Sequence, residues 1–269
     1  MKQYFSFFRI RFTSGLQYRV AAWAGICTQL FWGLMEILMF RAVYRYAPER
    51  LPMSMQALSN YVWIQQATLS VWIVTGWDFE LFQSIQSGAV AYELIRPSNL
   101  YAMWSARSFG SRLSRAALRF APVLLVGSLL PAPYGLRLTV PASASAFGMF
   151  LLSLLLTLWL CVAIELVCYG AAFFLTDYRA ITVFLAALTE AFSGDLLPLP
   201  FFPPILRSIA EKSPFGSLQN VPLRIFGGDI AGMACISAVG LQLFWCLCIT
   251  GLGCCLLRRG LRRVVIAGG

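Results

Sequence analysis

The chain has 269 residues, of which 59% are hydrophobic and only 12% charged, against roughly 45–50% and about 25% in a soluble domain. A water-soluble core cannot absorb that excess, so the chain reads as one all-α integral membrane domain built from segments of about 20 apolar residues. The net charge of +10 is distributed between apolar runs instead of forming one basic face, which argues against a nucleic-acid partner and gives the cations a topological role.

Residues 1–19 alternate aromatics with arginines and lack a small-residue cleavage site, so they read as a retained segment and not a signal peptide. Phe5, Phe8 and Phe12 fall near one helical face, with Lys2, Arg9 and Arg19 free for lipid headgroups. The pattern predicts an amphipathic helix in the membrane interface. Six transmembrane helices are expected after it, at 20–44, 58–76, 118–136, 144–169, 180–196 and 230–257. The second is the more polar and carries Gln65; the third is broken by Pro122 and Pro131.

Residues 77–117 are too polar to span. Asp78 stands where it can cap a helix that ends before Pro97. Residues 197–229 hold six of the thirteen prolines, between Pro198 and Pro222, in a stretch that remains largely apolar. An uninterrupted helix is excluded there, and a re-entrant Pro-rich hairpin fits. With both termini cytoplasmic, the inner segments carry 14 basic residues and the outer ones 7. That bias places 77–117 in the cytoplasm and 197–229 outside, in a plasma (inner) membrane.

Several kinds of chemistry are missing. Only Lys2 and Lys212 are available for a P-loop, and neither follows glycine. There is no histidine, which removes imidazole acid–base catalysis and most zinc sites. The eight cysteines lie within or beside apolar runs, without metal-site or disulfide spacing.

What remains is carboxylates within spans: Glu36, Glu165 and Glu190. An intramembrane charge is costly and must face protein, a cavity or a partner. Gln29, Trp32 or Gly33, and Glu36 share a face of the first span. Thr182, Thr189, Glu190 and Ser193 form a strip on the fifth. In the fourth, Ser153, Thr157, Cys161 and Glu165 recur every four residues. Such strips either line a path or bond helices together. No charged pair within the spans is evident from the sequence.

This arrangement resembles the permease subunits of ABC-2-type exporters: an amphipathic opening helix, six spans, a main cytoplasmic connection between the second and third, and a broken hydrophobic segment outside between the fifth and sixth. Two stretches sharpen the likeness to a multidrug or uncharacterised-substrate subfamily. One is IQSGAVAYELIRPSNLYAMWSAR, with Gly88, Leu94, Arg96, Pro97 and Asn99 in pattern. The other is FSGDLLPLPFFPPILRSIAEKSPFGSLQNVPLRIFGG, with Ser193-Gly194, Pro198, Phe201-Phe202-Pro203 and Pro214-Phe215.

The resemblance implies two permease chains, identical or homologous, forming the substrate route between them, powered by separate ABC ATPase subunits. ATP and Mg would then belong to the ATPase, and no cofactor is expected in this chain. A permease so driven receives work through contact, and a cytoplasmic coupling helix over Asp78 to Ile95 is the best-placed lever. Leu81, Phe82 and Ile85 are expected to dock on the membrane domain, while Asp78, Gln83, Gln86, Gly88, Glu93 and Arg96 serve the ATPase contact. The competing classes are an ion-coupled secondary transporter, with Glu36 or Glu190 as its proton site, and a membrane enzyme or non-transport assembly protein.

Overall fold

A computed structural model describes residues 2–46, 51–73, 76–95, 98–131, 135–141 and 143–263. Among these residues every regular element is helical. The chain opens with α1 (Lys2–Leu16) and, after a two-residue break, α2 (Arg19–Tyr46). Next come α3 (Met55–Trp72), the short α4 (Phe79–Gln86) and α5 (Ala91–Leu94), and the 30-residue α6 (Leu100–Leu129). The second half holds α7 (Ala144–Ala172), α8 (Arg179–Phe192), α9 (Pro204–Lys212), α10 (Asn220–Phe226) and α11 (Gly232–Leu261).

Local chemistry explains several starts. Ser54, Asn99 and Ser143 are extended N-caps whose side chains accept from the N–H groups of Ala57, Ala102 and Ala146. Asp78 occupies the cap position of α4 but bonds no helix N–H. The expected cap is therefore absent, because its carboxylate is turned to Arg107 at 2.5 Å. Pro122 does not break α6. It removes one hydrogen bond from a helix whose neighbours hold it on either side.

α7 is the central post. It packs along α11 and also meets α3, α4, α6 and α10. Gly170 permits close approach, since a Cβ there would fall 2.8 Å from the Leu256 Cβ. α1 packs along the first half of α6. Gly110 makes that contact possible, because a Cβ would meet the Phe8 carbonyl oxygen at 2.7 Å. Lys2, Arg9 and Arg19 are exposed.

Among the described residues three helices, α2, α7 and α11, are long and apolar enough to cross a membrane. The others expected to span depart from that standard for visible reasons. α3 carries Asn60, Gln65 and Gln66, and α6 carries Arg107, Arg112, Arg115 and Arg119. α8 has 14 residues, a length of about 21 Å against roughly 30 Å of hydrocarbon. Gly194, at φ +86°, stops it. The Pro-rich stretch then forms a 3-10 turn at Leu199–Phe201, α9, and α10, whose seven residues are all buried, against α7 and α3.

Candidate functional site

Two polar clusters are built into this bundle. The outer one joins α2, α3, the turn after α8, and α10. Gln65 Nε2 donates to the Asp195 carbonyl at 2.8 Å and to its carboxylate at 2.9 Å. Tyr61 OH donates to the Gly194 carbonyl at 2.9 Å, and Gln219 Nε2 to the same oxygen at 3.4 Å. The Glu36 carboxylate lies within electrostatic reach of Asp195. Among the described residues one oxygen of Glu36, Gln65 Oε1, Ser193 Oγ, Gln219 Oε1 and Asn220 Oδ1 are buried without a hydrogen-bond partner. The result is a buried cluster rich in acceptors.

Of the residues expected on a path, Glu36, Gln65 and Ser193 come together here. Gln29 is buried two turns along α2, with both amide atoms unpartnered. Trp32 points away and is 53% exposed; Gly33 takes the packed position against Trp63 and Gln66. Thr182 and Thr189 are buried but spend their hydroxyls on the Arg179 and Leu185 carbonyls of their own helix. Glu190 is exposed. Asp195, Gln219 and Asn220 were not singled out from the sequence, although the last two stand in the buried stretch that leads into α10.

The strip on α7 bonds helices together. Ser153 donates to Gln242 of α11, and Thr157 to the Leu218 carbonyl, both at 2.7 Å. Cys161 Sγ contacts the Trp72 carbonyl at 3.2 Å. Glu165 belongs to the inner cluster. It pairs with Arg112 at 3.1 Å, and the two side chains are 3% and 1% exposed. The expectation of no charged pair is thereby corrected. Every position of 108, 112, 115 and 119 falls on one face of α6, which was the available signal.

Further hydrogen bonds hold this buried ion pair, although Arg112 Nε has no partner among the described residues. Ser108 Oγ donates to Glu165, and Tyr169 OH donates to its other oxygen at 2.6 Å. Arg112 Nη1 donates to the carbonyls of Val71 and Ile73, closing the end of α3. Tyr169 OH in turn accepts the Asp78 backbone N–H at 2.9 Å. A continuous chain of bonds thus runs from the end of α3 through Arg112, Glu165 and Tyr169 to the start of α4.

α4 sits on that chain through its apolar face. Leu81, Phe82 and Ile85 are buried, and Phe82 stacks on Tyr178 with centroids 4.3 Å apart. Gln83 is exposed on the opposite side. Gln86 donates to the Thr176 carbonyl, and Glu93 accepts from Trp104 Nε1 at 2.7 Å. Both are thus partly committed to the chain's own fold. Asp78 and Glu80 bind Arg107, and Glu80 also binds Arg11 of α1 at 3.0 Å. Hydrogen bonding from Arg11, then the Arg107 charge, holds the Glu80 carboxyl below its usual range.

The segment 78–95 is not one helix. It turns at Gly88, whose φ is +75° and whose Cβ position is open space. Its left-handed backbone is the conformation that favours a glycine. Arg96 and Pro97 lie outside the described residues.

A model of the ABC-2 family transporter proteins matches residues 30–268. No curated protein and no solved structure matches the chain.

Proposed function

The chain belongs to the ABC-2 transporter family, a family of membrane transport components, and from that premise we propose that it is the permease subunit of an ATP-driven exporter. Six helices cross the plasma membrane, with both termini in the cytoplasm. Two such permeases, identical or homologous, form the route between them. ATP and Mg are held by a separate ATPase subunit that presses on the segment 78–95.

The observation that carries this reading is the bonded chain from Asp78 through Tyr169 and Glu165 to Arg112 and the end of α3. A push on α4 is transmitted to two long helices instead of being absorbed by a loose loop. Its outward side, with exposed Gln83, is left for the ATPase. Glu36, Gln65, Ser193 and Asp195 supply polar groups toward the route at the other end.

Purification of the chain with and without its nucleotide-binding partner tests the proposal. The complex is expected to hydrolyse ATP with magnesium, and the partner-free chain to be inert. Hydrolysis by the isolated chain would overturn the division of labour. An ion-coupled carrier is the second reading, favoured by the closeness of Glu36 and Asp195. Transport driven by a proton gradient without ATP, and abolished by Glu36→Gln, would establish it instead.

A further inference from the structure

Between α1, the start of α2, the connection into α4, and the middle of α6 lies a cleft of about 530 Å³. Its acidic residues are already neutralised. Asp78 is 2.5 Å from Arg107, and Glu80 is 2.6 Å from Arg107 and 3.0 Å from Arg11. Arg115 and Arg119, one turn apart on α6, also line it. Among the described residues neither has a carboxylate within ion-pair distance, and neighbouring Arg112 is spent on Glu165.

The two guanidinium heads sit in recesses made by glycines. A Cβ at Gly76 would lie 2.9 Å from Arg115 Nη2, and one at Gly25 would lie 2.5 Å from Arg119 Cζ. Among the described residues Arg115 has one hydrogen bond, from Nε to the Ser111 carbonyl at 3.1 Å. Two part-buried forks side by side, without a carboxylate in ion-pair contact among the described residues, suit the oxygens of a phosphate, which each can bind in bidentate fashion. Ala21, Ala22 and Leu118 supply an apolar wall to the same cleft. An acyl chain needs such a wall; a free phosphate does not. The cleft is level with the end of α3 and the start of α4, where the chain leaves the bilayer in the proposed topology.

The geometry points to a binding site for a phosphate group carried by an anionic lipid headgroup, held by Arg115 and Arg119 in the cleft between α1, α2 and α6. The lipid thereby links the opening helix to the base of the coupling segment.

The test uses the full chain in detergent. Native mass spectrometry would count bound dioleoylphosphatidylglycerol and dioleoylphosphatidylcholine, and thermal unfolding would be followed with each lipid and with inorganic phosphate. The wild type should retain phosphatidylglycerol over phosphatidylcholine. Arg115→Gln with Arg119→Gln should lower phosphatidylglycerol affinity about tenfold or more, while Arg259→Gln, an exposed arginine on α11, leaves it unchanged. Unfolding in phosphatidylcholine alone checks that the variants fold. Should the double variant fail that check, each single one should still lose about threefold. Equal retention of the two lipids by wild type, or an equal loss in Arg259→Gln, would overturn the site. Stabilisation by millimolar phosphate as large as that by phosphatidylglycerol would overturn the lipid assignment.

Discussion

At the scale of single residues, the Arg112–Glu165 pair is the feature with the largest expected effect. Truncating either partner leaves an uncompensated charge among buried groups, and Arg112→Ala or Glu165→Ala should each destabilise the chain by about 3–5 kcal/mol. Arg112→Met combined with Glu165→Leu should cost less than either single change, because no charge is then left alone. Denaturation of the purified chain in detergent measures all three, and additive losses in the double variant would refute the account. The Glu80 ties to Arg11 and Arg107 have a pH dependence of definite sign. A depressed folded-state value means that their contribution is present above the ordinary carboxylate pKa and disappears as pH falls through the lowered one. Protease protection of 78–95 should fall only on that acid side. Of these residues, Glu165 was visible in the sequence as a carboxylate within an apolar span. Its partner was not, because 53 positions separate them and only the packing of α6 against α7 brings them together. Arg112 counted as one more inner cation in the charge bias.

At the scale of elements, α4 and α5 show how far periodicity carries. Leu81, Phe82 and Ile85 were legible as one apolar face, and all three are buried. A single helix over 78–95 was also expected, but the left-handed turn at Gly88 divides it. Glycine is tolerated inside helical patterns, so the sequence alone does not distinguish a weak helix position from a turn. The turn suggests a discriminating substitution series. Gly88→Val should destabilise the turn by about 1–2 kcal/mol and reduce ATPase stimulation, whereas Gly88→Asn, which tolerates left-handed backbone, should retain most of it. Equal activity of both variants in reconstituted vesicles would show that the turn has no part in coupling. α6 was misjudged for a related reason: its arginines lowered the hydropathy of 100–117 enough to make a continuous helix look like part of a polar connection. The charges of Arg107 and Arg112 are instead met by Asp78, Glu80 and Glu165.

At the scale of the whole molecule, membrane character and family were legible across most of the chain, because apolar runs and the two patterned stretches do not depend on tertiary contacts. The number of crossings is less directly encoded. α3, α6 and α8 carry polar groups or stop short, and their place in the bilayer depends on the helices around them. Labelling addresses it: a cysteine at Ser208, exposed on α9, should react from the extracytoplasmic side, and one at Gln86 only after the membrane is opened. The most direct test of the central claim is site-specific photocrosslinking in intact membranes from Gln83, the exposed position on α4, with Ser208 as the opposite-face control. The account predicts a Gln83 adduct to a subunit that carries a nucleotide-binding motif, and none from Ser208. No such adduct from Gln83, or the same subunit captured from Ser208, would contradict it.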